Sequence, residues 1–286
     1  MKKALVTGGT GFVGSHLVHG LLDDGWNADV IVRPSSDLHL LSHVAGKLGI
    51  YTFDGQTETM MQLVEKSEPD VVFHVASLFL SEHRPEQVQA LIQSNILFGT
   101  QLLEAMSKAG VQRLVNTSTS WEHYGNKEYS PVNLYAATKR AFQDILQFYI
   151  EARGLRVITL KLYDTYGPDD PRPKLINLLL RAAETGEAVA LSPGEQKIDL
   201  VHVDDVVSAY QIAAEQLLGG QVAGHEVYGV YTGRPLTIRR LVALMEEKSG
   251  RKLNVTWGGR PYRDREVMAP YYGLPTLPGW EPKHAL

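Results

Sequence analysis

The amino-acid sequence predicts an α/β fold, with a doubly wound parallel sheet and a smaller C-terminal part. Two observations carry this prediction. Short apolar runs alternate with amphipathic segments of helical periodicity from residue 3 to residue 163, as in folds built from strand–helix units. The first apolar run then leads straight into a glycine-rich turn and an amphipathic segment, which is the order of a β-α unit.

Six apolar runs are predicted to be strands. They are almost continuously apolar, as expected of parallel strands whose two faces are both covered by helices. The predicted strands are residues 3–7, 28–32, 48–53, 70–76, 112–118 and 156–163.

The segments between these runs are predicted to be helices. Their apolar residues recur with helical spacing, and several segments end at Gly, a common helix stop. The predicted helices are residues 14–25, 36–47, 60–67, 89–110 and 133–154.

Composition narrows the classes of function and location. The net charge is −4, the isoelectric point is about 6.2 and no basic stripe is visible, so neither nucleic acid nor an anionic membrane is expected as a partner. The chain has no cysteine, which excludes disulfides and thiolate chemistry and fits a reducing cytoplasm. No apolar run approaches the length of a membrane span. We therefore expect a soluble cytoplasmic protein.

The glycine-rich turn predicts a site for a pyrophosphate. Gly8, Gly11 and Gly14 stand three residues apart where the first strand meets the first helix. Glycine allows a tight turn and a close approach of the backbone to the anion, and the helix N-terminus offers free N–H groups. The turn is not a P-loop, because no Lys follows the last Gly. It indicates a Rossmann-type dinucleotide site.

A second pattern, "LYAATKRAF", places Tyr135 and Lys139 one helical turn apart. Such a pair can be a Lys stem resting on a buried Tyr ring, or a proton donor whose pKa is lowered by a neighbouring cation. The helix that carries the pair follows the fifth predicted strand and would flank a cofactor cleft. This position favours the chemical interpretation.

These patterns together resemble the extended short-chain dehydrogenase/reductase superfamily, the NAD-dependent epimerase/dehydratase enzymes of nucleotide sugars. Tyr135 and Lys139 match its Tyr-x-x-x-Lys pair, and the 3-3 glycine spacing is typical of it. Four later segments also match in the right order, so the resemblance covers essentially the whole chain. They are "NTSTSWEHYG" (116–125), "YGP" (166–168), "HVDDV" (202–206) and "GWEP" (279–282).

The resemblance implies a catalytic trio of Ser120, Tyr135 and Lys139. Tyr135 would exchange a proton with a carbinol oxygen, and Lys139 would lower the pKa of the phenol and bind the nicotinamide ribose. The family's hydroxyl stands four residues before the Tyr of a Tyr-Gly pair, here Tyr124-Gly125, which selects Ser120. Ser118 is the alternative, facing the cofactor.

The same resemblance implies a cofactor site and suggests which cofactor it holds. The second strand ends at Arg33, and no acid follows before Asp37, which is expected inside the next helix. An Arg there suits the 2′-phosphate of NADP(H), whereas an acid would select NAD; NAD stays the alternative. The implied cofactor residues are Gly8, Thr10, Gly11, Phe12, Val13, Gly14, Arg33, Ser36, Asp54, Gly55, Val75, Ala76, Ser77, Asn95, Tyr135 and Lys139.

The substrate residues depend on where the chain departs from the family. Asp164 stands where an Asn is usual, and Ile198 where an Arg is usual, so anion binding is expected to shift to arginines near residue 260. Trp121 replaces the first acid of the dehydratase pair and only Glu122 remains, so that pattern is incomplete. The implied substrate residues are Ser77, Ser120, Glu122, His123, Asp164, Arg260 and Arg263.

No metal is expected. His39 and His43 have the spacing of a helical zinc pair, but no H-E-x-x-H glutamate lies between them, so we interpret them as a solvated face. Hydride chemistry needs no metal.

The domain boundaries follow from the break in rhythm after "YGPDDPRPK". Residues 1–166 are predicted to form the dinucleotide-binding domain, to which residues 198–218 return. Residues 167–197 and 219–286 are predicted to form a smaller part that binds the nucleotide sugar. In this family a homodimer forms through two long helices, here residues 84–109 and 132–153.

Several segments also resemble the CDP-abequose and CDP-paratose synthases, among them "SLFLSEH", "PVNLYAATK" and "GRPYR". The expected reaction is therefore the NADPH-dependent reduction of a nucleoside-diphosphate 4-keto-deoxyhexose. Two alternatives remain open: an NAD-dependent nucleotide-sugar epimerase, and a non-catalytic regulator that senses a dinucleotide.

Overall fold

The computed structural model describes all 286 residues and has a seven-stranded sheet at its centre. The chain contains thirteen strands and eight α-helices. The strands are β1 Lys3–Thr7, β2 Asn27–Val32, β3 Leu48–Thr52, β4 Val71–His74, β5 Arg113–Thr119, β6 Arg156–Leu162, β7 Asp164–Tyr166, β8 Val189–Leu191, β9 Lys197–Ile198, β10 Leu200–His202, β11 His225–Val230, β12 Leu236–Thr237 and β13 Val255–Trp257. The helices are α1 Phe12–Asp23, α2 Thr57–Ser67, α3 Val88–Ile92, α4 Phe98–Ala109, α5 Leu134–Arg153, α6 Leu175–Thr185, α7 Val203–Leu218 and α8 Ile238–Ser249.

The central sheet is a parallel Rossmann-type sheet, as predicted. Its strand order is β11-β6-β5-β4-β1-β2-β3, and every pairing in it is parallel. All six predicted strands are present, with ends that differ from the prediction by a few residues. The strand order reverses beside β1, so the connections that leave β1 and β4 run to opposite faces of the sheet and open the crevice in which such folds bind ligands.

Two apolar layers cover the sheet. One contains the inner faces of α1 and α7, among them Leu17 and Tyr210. The other contains α2, α4 and α5, among them Leu102 and Phe142. Helix α7 thus lies against the sheet although it follows the small strands of the C-terminal half. A third cluster is formed by α6, α8 and β8, around Leu179 and Leu241.

The predicted helix over residues 36–47 is wrong. This segment forms two short 3₁₀ turns, His39–Leu41 and Ala45–Lys47, joined by a turn. The carboxylate of Asp37 accepts the backbone N–H of His39 at 2.9 Å, and such a local bond competes with helix formation. The apolar spacing reflects a covering loop, in which Leu41 is buried against the first layer. His39 and His43 are exposed and share no helix.

The long helical segment before β5 contains a wide turn. A π-helix, Gln93–Leu97, joins α3 to α4, and such wide turns often occur at functional sites. It carries Asn95, which is fully buried.

The C-terminal segment is fastened to the start of α7. The buried carboxylate of Asp205 accepts the backbone N–H groups of Lys283 and His284, each at 3.0 Å. The indole of Trp280 donates to the Asp205 carbonyl at 2.8 Å.

No helix in the structure is long and apolar enough to cross a membrane.

Candidate active site

A cavity of about 840 Å³ opens at the carboxyl ends of the central strands. It is lined by the turns that follow β1, β2, β4, β5 and β6, so one crevice collects residues from distant parts of the chain. Most of the sequence-predicted site residues line it: Gly8, Thr10, Gly11, Phe12, Val13, Gly14, Arg33, Ser36, Asp54, Gly55, Val75, Ala76, Ser77, Ser120, Tyr135 and Asp164.

The glycine turn is built for close backbone packing. Gly8 has φ +73°, and a Cβ there would lie 2.6 Å from the Ala76 backbone nitrogen. A Cβ on Gly14 would lie 2.0 Å from the Gly8 carbonyl oxygen, whereas one on Gly11 would meet that oxygen at an ordinary 3.4 Å. Gly8 and Gly14 are therefore required by packing. Gly11 leaves its side of the turn open to the cavity at the N-terminus of α1, where backbone N–H groups can receive an anion.

Arg33 lies at the end of β2, at the rim of the cavity. The backbone N–H of Arg33 donates to the Ser36 hydroxyl at 2.9 Å, and the Ser36 N–H donates back to the Arg33 carbonyl at 3.0 Å. This turn holds the exposed guanidinium beside the cavity. Asp37 lies in the following loop, not in a helix, and does not line the cavity.

Tyr135 lies at the start of α5 and faces the cavity. Its ring meets Phe79 edge to face, with centroids 5.0 Å apart. Burial raises the pKa of Tyr135 to about 12 from its usual 10, while the hydroxyls of Ser77 and Thr119 act in the opposite direction. The expectation that Lys139 lowers the pKa of this phenol is therefore not met: Lys139 is not among the groups that shift it.

Lys139 lies one turn further along α5, is 1% exposed and does not itself line the cavity. Burial lowers the pKa of its ammonium to about 8, with Glu122 acting in the opposite direction. Its Nζ has no hydrogen-bond partner. Since a buried polar group without a partner is costly, Nζ is a candidate to bind a ligand group.

Ser118 and Ser120 both line the cavity but differ in their hydrogen bonds. The Ser118 hydroxyl donates to Glu122 Oε1 and accepts from Gln143 Nε2 at 3.1 Å. A hydroxyl has one proton, so Ser118 has none left to donate to a substrate. Ser120 begins a 3₁₀ turn at the end of β5 and lines the cavity. The geometry therefore favours Ser120 as the donor.

Glu122 and His123 do not line the cavity, contrary to expectation. The Glu122 side chain is completely buried and ion-paired with Lys161, with Nζ 2.9 Å from Oε2. Lys161 also donates to His123 Nε2 at 3.0 Å, and the His123 ring stacks on Tyr271 at a centroid distance of 4.2 Å. These residues form a polar cluster behind the end of β5 and are not part of the cavity surface.

Asn95 also lies away from the cavity surface. Its Oδ1 accepts the backbone N–H of Leu78 at 2.7 Å, and its Nδ2 donates to Thr138 Oγ1 at 2.9 Å. Both ends of the amide are thus used inside the protein. Asn95 therefore holds the loop after β4 against α5 and does not make the expected cofactor contact.

The two predicted arginines of the C-terminal segment are placed differently. Arg260 is exposed, donates to the Ala190 carbonyl at 2.9 Å and does not line the cavity, contrary to expectation. Arg263 lies over the Trp121 ring at 5.9 Å and 3.6 Å from a carboxylate oxygen of Glu82. Arg263 therefore contacts Trp121, a residue of the cavity wall, but does not itself line the cavity, contrary to expectation.

Four of the lining residues that sequence reasoning missed shape the cavity beside Tyr135 and the glycine turn. Phe79 and Trp121 meet edge to face with centroids 5.5 Å apart and form an aromatic wall beside Tyr135. Arg172 stacks on Phe12 at 4.4 Å and is held by Asp170 through two hydrogen bonds of 2.6 and 2.7 Å. Lys174 lies 5.2 Å from the Phe79 ring centre. The sequence signal was the "PRPK" run after "YGP", whose two cations return to the cavity.

Comparisons with known proteins agree with this geometry. The family model described as "NAD dependent epimerase/dehydratase family" matches residues 4–229. The CDP-abequose synthase of Salmonella muenchen is 26% identical over 100% of this chain and 94% of its own length.

Two solved structures are similar over nearly the whole chain. The UDP-glucose 4-epimerase of Thermus thermophilus, in complex with NAD, has a TM-score of 0.84 and 26% identity and covers 99% of this chain and 95% of its own. The UDP-glucose 4-epimerase of Thermotoga maritima, with UDP-glucose, has a TM-score of 0.85 and 26% identity over 99% and 94% of the two chains. The chain therefore belongs to the NAD dependent epimerase/dehydratase family.

Proposed function

We propose that this enzyme reduces a nucleoside-diphosphate 4-keto-deoxyhexose with NADPH. Membership of the family makes it an enzyme that acts on sugar nucleotides with a nicotinamide dinucleotide. Similarity to the CDP-abequose synthase supports the reductive reaction. The carrying observation is the placement of Ser120 and Tyr135 on one cavity with the glycine turn.

The residues around the cavity fit the dinucleotide. The free N–H groups of the α1 N-terminus and the open side of Gly11 suit its pyrophosphate, and the unpartnered Nζ of Lys139 suits a ribose hydroxyl. Arg33 suits a 2′-phosphate. The bound cofactor would supply the hydride. The third apolar cluster, formed by α6, α8 and β8, would belong to the part that holds the nucleotide sugar. The predicted boundary at residue 219 is wrong in one respect, because β11, His225–Val230, lies in the central sheet beside β6.

The protein's own residues would supply the proton and orient the carbonyl. Ser120 donates a hydrogen bond to the carbonyl oxygen of the substrate, and Tyr135 gives that oxygen a proton as the carbon accepts hydride, so the C=O group becomes CH–OH. A phenol with a raised pKa is fully protonated at neutral pH and can act as the acid. Lys139, which is not among the groups that shift the pKa of this phenol, keeps the other expected role of holding the ribose of the cofactor.

The position of Glu122 argues against water elimination. In dehydratases an acid pair after the catalytic hydroxyl drives that step, whereas here Trp121 replaces one member and the other is buried in an ion pair with Lys161. A carboxylate that is already paired and cannot reach the cavity cannot take up a substrate proton there. Reduction therefore fits this site better than elimination.

The test is a reaction panel with purified protein. We expect absorbance of NADPH to fall when a nucleotide 4-keto-6-deoxy or 4-keto-3,6-dideoxy sugar is added, with one product alcohol per NADPH. Interconversion of two nucleotide sugars without net loss of reduced cofactor would contradict reduction and favour the epimerase, as would NAD retained through purification. No turnover with intact dinucleotide binding would favour a regulator.

A further inference from the structure

A row of polar side chains crosses the buried sheet below Lys139. Thr7 pairs with His74, His74 with Asn116, and Asn116 with Thr159, on four neighbouring strands. All four residues are 0% exposed. Paired residues of parallel strands point to the same face of a sheet, so the four side chains lie side by side.

The row faces helix α5. Two residues before each member, along the same face of its strand, stand Leu5, Val72, Leu114 and Val157, which pack in the apolar layer that contains Phe142. The Phe142 ring lies 5.2 Å from that of His74. Lys139, one turn before Phe142, is close enough for its charge to lower the pKa of His74. The ammonium thus lies near the middle of the row.

Hydrogen bonds join the row at both ends but not in the middle. Thr7 Oγ1 is 2.9 Å from His74 Nδ1, and Asn116 Nδ2 donates to Thr159 Oγ1 at 3.1 Å. The two atoms between these pairs, His74 Nε2 and Asn116 Oδ1, have no partner, and neither has Lys139 Nζ. Three unpartnered buried polar atoms therefore belong to adjacent residues.

Their chemical roles are complementary. The Thr7 hydroxyl accepts the Ala76 N–H at 3.3 Å, which leaves its proton to be donated to His74 Nδ1. Burial lowers the pKa of His74 to about 3, so the ring is neutral and its single proton lies on Nε2. Nε2 is then a donor and Asn116 Oδ1 an acceptor.

We infer that one water molecule binds between His74 and Asn116, and that through it these residues position the ammonium of Lys139. A buried water needs two to four polar partners, and this place offers one donor, one acceptor and a cation. The ammonium has three donors, so it can bind the water and still serve a ribose hydroxyl. The water site does not depend on which reaction the enzyme catalyses, whereas the positioning of Lys139 matters for catalysis only under the proposed function.

The first test is a crystal structure of the protein at a resolution that shows ordered water. We expect a water peak within about 2.7–3.2 Å of both His74 Nε2 and Asn116 Oδ1. A direct bond between those two atoms, or a dry gap, would overturn the inference. This readout does not depend on which reaction the enzyme catalyses.

The second test is the pH profile of turnover in Asn116→Leu and His74→Phe, two variants that remove one water partner each. Without the water the charged ammonium of Lys139 loses a hydrogen bond and is less stable. The alkaline limb of the pH profile of turnover should therefore move to lower pH by roughly half to one unit. A limb that stays in place in either folded variant would show that the water does not position Lys139.

Val72→Ala is the matched control, because Val72 lies on the same face, two residues before His74, and carries no polar group. It should lower stability without moving the limb. If His74→Phe fails to fold, Asn116→Leu and the crystal structure still decide the two parts of the inference.

Discussion

Lys161 and Glu122 form an ion pair from which solvent is excluded. Their side chains are 5% and 0% exposed, with Nζ 2.9 Å from Oε2. Lys161 lies on β6, where it is paired in register with Ser118 of β5. Glu122 follows the end of β5, so the ion pair joins two neighbouring strands. Ser118 and Gln143 complete the hydrogen bonds of the carboxylate, so the pair holds the strand end from which Ser120 emerges.

Lys161→Met should therefore destabilise the fold strongly. Removing one partner leaves Glu122 as a buried charge without compensation, which typically costs about 3–5 kcal/mol. Urea unfolding measures the loss. The double variant Lys161→Met/Glu122→Leu should recover much of it, because no buried charge remains. Lys252→Met is the control: its ammonium is exposed and paired at the surface, and it should unfold like the wild type. Equal stability of the wild type and Lys161→Met would refute the role of the pair.

Tyr135→Phe keeps the ring and its contact with Phe79 but removes the proton. Since general acid catalysis contributes about 100- to 10,000-fold, turnover should fall by at least the lower figure, with cofactor affinity little changed. Steady-state kinetics and cofactor titration separate the two quantities. Phe79→Leu serves as the control for the aromatic contact and should retain far more turnover. A variant with near-normal turnover would return Tyr135 to a packing role.

The lowered pKa of Lys139 predicts a pH-dependent stability. Below pH 8 the ammonium is charged in both the folded and unfolded states, and the cost of burying it is fully present. Between about pH 8 and the usual 10.5, the folded state has lost the proton while the unfolded state retains it, so stability rises with pH. Lys139→Met should thus be more stable than the wild type at pH 7, and its advantage should shrink over this window. Denaturant unfolding without cofactor measures both; a constant difference would contradict the lowered pKa.

Arg33 should select NADPH over NADH. Charge-assisted hydrogen bonds to one partner are worth roughly 1.5–3 kcal/mol, so the preference should be about tenfold to a hundredfold. Arg33→Ala should weaken NADPH binding and leave NADH almost unchanged, as measured by the ratio of the two dissociation constants. Arg240→Ala, on the exposed side of α8, should alter neither. Equal affinities in the wild type would exclude the assignment.

The exposed apolar residues of two helices predict a homodimer. Ile92 and Phe148 are 40% and 54% exposed, on α3 and on α5, and neither lines the cavity. Leu91, Leu102 and Phe142, other apolar residues of the same two segments, are buried within one chain and are not available to a partner. Light scattering should give about twice 31.7 kDa, and Phe148→Glu should give the monomer mass. Leu180→Glu, at an equally exposed position on α6, is the control. A monomeric wild type would end this proposal.

The fold could be predicted because its signals are local. The predicted central strands are short runs such as Ala4–Val6 that are apolar on both faces, as expected of parallel strands covered by two helical layers. The seventh strand, β11, was missed because it begins with His225 and Glu226 and is only partly buried. The prediction of a helix over residues 36–47 was wrong because leucines that cover a sheet edge can recur with helical spacing. The hydrogen bond of the Asp37 side chain, which competes with a helix, cannot be read from the apolar pattern.

The site was only partly predictable because its decisive contacts are long-range. Glu122 was assigned to the cavity by its place in a motif, but its partner Lys161 lies 39 residues away in sequence and is brought near by strand register. The pKa of Tyr135 likewise could not be predicted from a local pattern. Helical spacing put Lys139 near it, whereas the degree of burial, which raises that pKa, depends on the whole fold.

The π-helix Gln93–Leu97 is a place where the chain can lose one residue. A wide turn holds one residue more than an α-helical turn, so a deletion within it could be absorbed by converting the turn to regular α-helix. The same deletion in the first turn of α5 would rotate every later side chain by about 100° about the helix axis and move Lys139 out of its place one turn beyond Tyr135. A deletion should thus be tolerated at the first site and not at the second, and the cost of tolerance is a displaced Asn95.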